Sequence, residues 1–242
     1  MRKYSAVLFD FFDTLVMFDP SLLPEVRIDG EVRNSTAQHV FTQMRSSLEG
    51  MEFSDFYMPF VESYTELLEL RKKDLREYPN RKRFEIFLEK TGIKGDHDLP
   101  DRFVHSHMES LCGAAVYPKH HTEVLFYLRE KGCRLSLVSN FDHAPAVRKL
   151  LGRFGITDFF ENIVISEEVG WRKPHRKIFE LALAELDESP QNAIFIGDNL
   201  EADIVGSSRL GIDSVWVKKK EQATQAEPDF IIEDLIELRD II

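Results

Sequence analysis

Four short β-rich runs, Arg134–Val138, Asn162–Ile165, Ala193–Ile196 and Ser214–Val217, alternate with stretches of helical spacing in the second half of this 242-residue chain. The helical stretches are Thr122–Glu130, Ala146–Leu151, Arg176–Leu186 and Leu200–Leu210, with Gly132 and Gly211 placed as stops. Few topologies accommodate such an alternation. Successive strands joined by crossover helices form βαβ units, which predicts an α/β fold built on a parallel sheet. Val7–Phe9, near the start of the chain, predicts a further strand of the same sheet.

Between that first strand and the βα series the pattern changes. From about Met17 to Ala115 no segment has convincing strand character, and Ala37–Leu48, Phe56–Glu69 and Arg81–Lys90 have amphipathic helical spacing. Turn residues break the stretch at Glu49-Gly50, Tyr78-Pro79-Asn80 and Gly92–Pro100. The expected organisation is a core made of residues 1–17 and 116–242 with an all-helical insertion at 18–115. An insertion placed directly after the first strand is expected over the carboxyl edge of the sheet, where it can serve as a lid.

Composition excludes several classes of partner. Thirty-one Lys and Arg against 42 Asp and Glu leave a formal charge of −11, so the broad basic footprint of a nucleic-acid binder is missing. Hydrophobic residues at 43% and charged residues at 30% suit a globular protein. No apolar run approaches the roughly 20 residues of a membrane span. Met1–Ser5 leads into a strand pattern rather than a signal peptide, giving a cytoplasmic expectation. Cys112 and Cys133 show no metal-ligand spacing, and Cys133 sits in an apolar run as a small buried hydrophobe. The charge run Lys218-Lys219-Lys220-Glu221 is expected to be a solvated loop.

Four segments at predicted strand ends carry residue types suited to phosphoryl transfer. Asp10 follows Val7-Leu8-Phe9, with Thr14 four residues on. A carboxylate there can act as a nucleophile and divide one hard displacement into two easier ones. Ser139-Asn140 follows Leu137-Val138 and offers a hydroxyl and backbone N–H groups to phosphoryl oxygens. Lys173, before Pro174 and the next helix, can offset repulsion between an anionic nucleophile and an anionic substrate. Asp198, after Ile196-Gly197, and Asp203 five residues later could hold Mg²⁺. Each segment alone is weak; one per βα unit, in this order, is a specific signature.

Together, Phe9-Asp10, Thr14-Leu15, Val138-Ser139-Asn140, Lys173-Pro174 with Ile178-Phe179, and Gly197-Asp198 with Asp203 resemble the haloacid dehalogenase-like hydrolase superfamily with an inserted helical cap. The resemblance covers residues 1–17 and about 117–217; the cap matches in position and helical character only. It implies a Rossmann-like three-layer core and a Mg²⁺-dependent phosphohydrolase acting on a small organic phosphate. By the same resemblance Asp10 is the nucleophile, Thr14 helps orient it, Ser139 and Asn140 bind phosphoryl oxygens and Lys173 neutralises charge. Asp198 would bind the metal together with Asp10 and the backbone carbonyl of Phe12, and Asp203 would support the metal or Lys173.

One position departs from the family's pattern. Phosphatases of the superfamily carry an aspartate two residues after the nucleophile, which protonates the leaving oxygen; here that residue is Phe12. Asp13, where the family often has glycine, is the obvious candidate for a displaced acid, but if the strand continues that far it points away from Asp10, and a structural polar residue is the expected reading. His105, His107 and His143 could also supply that proton, but are expected to be surface histidines. Members that displace halide from 2-haloacids also place an aromatic residue at the second-acid position, which makes a dehalogenase the alternative. Against it, Asp198 and Asp203 beside Asp10 form a cluster of negative charge that calls for a cation. A non-catalytic protein binding a phosphorylated ligand or a partner is the remaining alternative, and the substrate and oligomeric state stay open.

Overall fold

The computed structural model describes residues 4–28, 30–219 and 226–242. Met1–Lys3, and Lys220 and Glu221 of the charge run, lie outside the described residues. The chain divides into two compact units, one of Met1–Met17 with Val116–Ile242 and one of Phe18–Ala115.

Among the described residues the main sheet of the first unit has six strands: β1 (Ala6–Phe9), β2 (Arg134–Ser139), β3 (Asn162–Ile165), β4 (Ala193–Gly197), β5 (Asp213–Val217) and β6 (Phe230–Ile232). They form one parallel sheet in the order β6-β5-β4-β1-β2-β3. All four residues of β1 and all five of β4 are buried, which is why these strands read as continuous apolar runs and not as alternating ones. Crossover helices α1 (His121–Glu130), α2 (Ala144–Phe154) and α3 (Arg176–Glu185) flank the sheet. Ala6 and Leu8 of β1 pack with Phe195 of β4 and with Ile178, Phe179 and Ala182 of α3 in one apolar cluster. Alternate residues share a face of a strand, so Val7 and Phe9 are buried on the other side.

Strand order decides where chemistry can occur. From β1 the chain proceeds to β2 and β3 on one side, then returns to β4 on the other, placing the switch point between β1 and β4. Phe9 is in register with Leu137 of β2 and Ile196 of β4, so the residues following these three strands emerge side by side at the carboxyl edge.

The helix expected at Leu200–Leu210 is irregular: a π-helical run, Leu200–Val205, is followed by one short turn, Gly206–Ser208. Pro174 does not begin α3; His175 caps it, its Nδ1 accepting from the Lys177 N–H at 3.3 Å.

The second unit contains helices Ala37–Gln43, Phe53–Asp74, Asn80–Thr91 and Leu99–Gly113 around Phe56, Phe60, Phe84, Phe87 and Phe103, all buried. It is not wholly helical. Glu25–Ile28 and Glu31–Asn34 pair as an antiparallel hairpin, correcting the expectation of no strand here. The reason is local: Asp29-Gly30 between Val26, Ile28 and Val32 is a two-residue turn signal, and Gly30 has φ +80°. His107 is also corrected, being buried and not on the surface. Arg83 donates to its Nε2 at 3.0 Å, so Nδ1 carries the proton and donates to Thr36 Oγ1 at 2.8 Å. His105 is exposed, and His143, half-buried, caps α2 by accepting from the Ala146 N–H. Both cysteines are buried, with no disulfide between them. No helix among the described residues is long and apolar enough to cross a membrane.

Candidate active site

Asp10 stands one residue beyond β1, and its N–H donates to the Ile196 carbonyl at 2.8 Å, continuing the pairing with β4. That bond fixes the backbone from which the carboxylate projects. Lys173 Nζ reaches Asp10 Oδ1 at 2.6 Å and Asp203 Oδ1 at 2.7 Å. Its side chain is 1% exposed, and the ammonium is held by these two carboxylates with the Phe195 ring 5.0 Å away.

Each member of this set is held by a second contact. Asn140 and Lys173 exchange two bonds: the Lys173 N–H donates to Asn140 Oδ1 at 2.7 Å, and Asn140 Nδ2 donates to the Lys173 carbonyl at 3.0 Å. The Asn140 amide therefore positions the lysine, with its Oδ1 and one of its two Nδ2–H groups committed to the Lys173 backbone. Asp203 Oδ2 accepts the Asn199 N–H at 3.0 Å, while the Trp216 indole donates to the Asp198 carbonyl at 3.0 Å. Ser139, 1% exposed, ends β2.

Gly197 permits this approach of Asp203 to the strand end. A Cβ there would lie 2.5 Å from Asp203 Cβ and Cγ. Gly197→Ala is therefore expected to lower stability by about 1–3 kcal/mol, the range for forcing a methyl into a filled interior. Thermal melting checks this, and an unchanged Tm contradicts the packing.

Thr14 has a different partner from the expected one. Its hydroxyl donates to Asp198 Oδ1 at 3.4 Å, so it steadies the acid after β4 and not Asp10. Asp13 does not follow strand alternation either, because β1 ends at Phe9 and Asp13 adopts φ +62°, a conformation aspartate tolerates better than most side chains. Its carboxylate is half exposed and lies 3.3 Å from Lys219 Nζ. Phe12 has turned its half-buried ring against Phe141, with centroids 4.9 Å apart, and against Phe11 at 4.8 Å. An aromatic pair thus borders the acidic site.

Two carboxylates grip the buried ammonium and a third, Asp198, lies beside them, and the electrostatics reflect it. Burial, then repulsion from Asp203 and Asp198, pushes the Asp10 pKa up to about 7 despite Lys173. Asp198 is pushed up to about 6 by burial and by Asp203. Burial alone would lower the Lys173 pKa, but Asp10 and Asp203 outweigh it and hold the ammonium charged. Carboxylate oxygens of Asp10, Asp198 and Asp203 lie within 4.8 Å of one another. This oxygen-only, charge-rich donor set fits a hard divalent cation such as Mg²⁺.

Trp216, Asn199 and Phe141 were not marked by sequence motifs. Asn199 had a usable signal, an Asx residue opening a helical segment; Trp216 and Phe141 depend on which strands are neighbours.

Comparison with known proteins bears on the whole chain. A family model described as haloacid dehalogenase-like hydrolase matches residues 4–211. A glyceraldehyde 3-phosphate phosphatase of Methanopyrus kandleri is 31% identical over 246 residues, covering 98% of this chain and 96% of that protein. One of the same description from Pyrococcus abyssi is 30% identical over 224 residues, 88% of this chain and 80% of that protein. In fold, a 2-haloacid dehalogenase from Pseudomonas syringae superposes with a TM-score of 0.75 at 20% identity, over 100% of this chain and 98% of its own.

Proposed function

Because the chain belongs to the haloacid dehalogenase-like hydrolase family and is a phosphatase-type hydrolase, we propose that it hydrolyses a small organic phosphate through Asp10, with Mg²⁺ as cofactor. The observation that carries this reading is Lys173, whose ammonium joins Asp10 to Asp203 at the carboxyl edge, directly beside Asp198.

In this reading the Asp10 carboxylate attacks phosphorus and the P–O bond to the leaving group breaks, leaving an aspartyl-phosphate and an alkoxide, phenolate or carboxylate that takes any proton it needs from solvent. Water then attacks the phosphorus, releasing inorganic phosphate and restoring Asp10. Lys173 lowers the repulsion between Asp10 and the incoming dianion, and the Ser139 hydroxyl with the backbone N–H groups around Asn140 receives the phosphoryl oxygens. Asp10, Asp198 and the Phe12 carbonyl would hold Mg²⁺, with Thr14 steadying Asp198; when bound, the cation supplies positive charge to the transferring phosphoryl group. Asp203, tied to Lys173 and to the Asn199 N–H, keeps the lysine aimed.

Phe12 narrows the substrate. It has no proton for a departing alkoxide, so acyl and aryl phosphates, whose leaving groups are stable as anions, are expected to react faster than alkyl phosphates. Glyceraldehyde 3-phosphate, named for the two relatives above, is an alkyl ester, and this chain is expected to turn it over slowly. The fold likeness to a 2-haloacid dehalogenase and the aromatic Phe12 favour halide displacement as a second reading; the acidic pair Asp198 and Asp203 counts against it.

Acid quenching during steady turnover of an acyl phosphate, followed by peptide mass spectrometry, is expected to find phosphate on Asp10. Phosphate on another residue contradicts the proposed nucleophile.

Cation binding has a pH signature. For Asp10 the folded value of about 7 exceeds the ordinary 3.8, so between these values the folded state binds the extra proton. Stability of the metal-free protein therefore falls as pH rises through that window, and Asp198 adds to the fall between 3.8 and about 6. Mg²⁺ binds the ionised carboxylates, so it is expected to raise Tm more at pH 8 than at pH 5. Equal increments at the two pH values contradict a cation on these acids.

A further inference from the structure

Outside the carboxylate site the core unit brings together His120 and His121, at the start of α1, and Asp234, which caps the short 3₁₀ helix Leu235–Asp240. We propose that His120, His121 and Asp234 form a second metal site, selective for a zinc-class cation.

One ligand atom from each residue lies within 4.8 Å of the others. His120 Nε2 is 2.9 Å and 3.1 Å from the two Asp234 carboxylate oxygens. A tetrahedral zinc with bonds of about 2.0–2.2 Å needs ligand atoms roughly 3.4 Å apart, so that pair stands close to the required separation. His121 completes the set from the other side: its Nδ1 lies 2.8 Å from the Leu15 carbonyl, an acceptor only. Nδ1 must then be the protonated nitrogen, leaving the lone pair on Nε2. A backbone carbonyl holding the remote nitrogen is the arrangement that fixes tautomer and orientation in metal-binding histidines. The residue is 4% exposed, so the ring is held in place.

A simple ion pair between His120 and Asp234 accounts for only two of the three groups. His121 stands outside that pair: the hydrogen bond it makes is the one from Nδ1 to the Leu15 carbonyl, and its ring lies beside that of His120, with centroids 4.6 Å apart. Two imidazoles and one carboxylate suit Zn²⁺, Ni²⁺ or Co²⁺, whereas Mg²⁺ prefers the oxygen-only cluster of Asp10, Asp198 and Asp203. The side chains of His120 and Asp234 are 46% and 43% exposed, giving a metal an entry path and a water as fourth ligand.

The test is calorimetric titration of ZnCl₂ into the full chain in saturating Mg²⁺, with His120→Ala and Asp234→Asn alongside. Asparagine retains helix capping, so loss of binding in the second variant is not loss of the helix start. The expected result is one Zn²⁺ per chain, at least about tenfold weaker binding in each variant, and Mg²⁺-supported phosphatase activity unchanged in both. No binding by the wild type, or wild-type affinity in both variants, overturns the site; loss of Mg²⁺-supported activity in folded His120→Ala overturns its separateness from the carboxylate cluster.

Discussion

Asp10→Asn is expected to lower kcat on any phosphate substrate by a factor on the order of 10⁴–10⁶, the scale seen when an enzyme loses its nucleophile. The amide retains the shape of the side chain but cannot form the aspartyl-phosphate. Stability is expected to move the other way. Ionising Asp10 costs the folded state, because burial and two neighbouring acids raise its pKa to about 7. At pH 8 without metal the neutral variant should therefore melt no lower than wild type, even though Lys173 loses one of its two carboxylates. Loss of turnover with retained Tm identifies a chemical role. Parallel loss of both assigns Asp10 to the folding of the sheet edge and contradicts the account.

Phe12→Asp is the second large effect, and it is a gain. A positioned general acid is worth roughly 10²–10⁴ in rate when the leaving group needs a proton, and the substitution is expected to raise alkyl phosphate hydrolysis within that range. Acyl phosphate hydrolysis should change little, because its carboxylate departs without help. The site tolerates the change: the Phe12 ring is half-buried and leans on Phe141 and Phe11, so its removal opens an edge and not the middle of the core. Phe12→Ala separates the two consequences of the substitution, since it removes the ring and adds no acid. An alkyl phosphate rate no higher in Phe12→Asp than in Phe12→Ala, with both variants folded, contradicts this reading of Phe12.

The parallel sheet was legible because strands buried on both faces are apolar throughout and are bounded by turn residues. Asn162–Ile165 is recovered with the bounds expected, and β1, β2, β4 and β5 differ from expectation by a residue at one end. Asp10, Lys173, Asp198 and Asp203 were legible because each sits at a strand end or at the head of the following helix, a location the βα pattern supplies.

Other features needed the three-dimensional order. That Thr14 meets Asp198 follows from β1 lying beside β4, and no local pattern carries strand order. Asp13 was judged by alternation past Phe9, where the strand has already stopped. Two misreadings had local signals. His107 falls four residues after Phe103 on one helix and shares its buried face, and Asp29-Gly30 between apolar residues marks the hairpin.

The central claim is that Asp10, Lys173 and a Mg²⁺ held by Asp10 and Asp198 perform phosphoryl transfer limited by leaving-group protonation. The most direct measurement is kcat/KM for an acyl, an aryl and an alkyl phosphate, each with Mg²⁺ and with chelator, with halide release from a 2-chloro acid followed in parallel. The account predicts Mg²⁺-dependent turnover that falls from the acyl and aryl esters to the alkyl ester by about 10²–10⁴, and no halide release. Equal or metal-independent turnover of the three phosphates, or halide released in the presence of chelator, would contradict it.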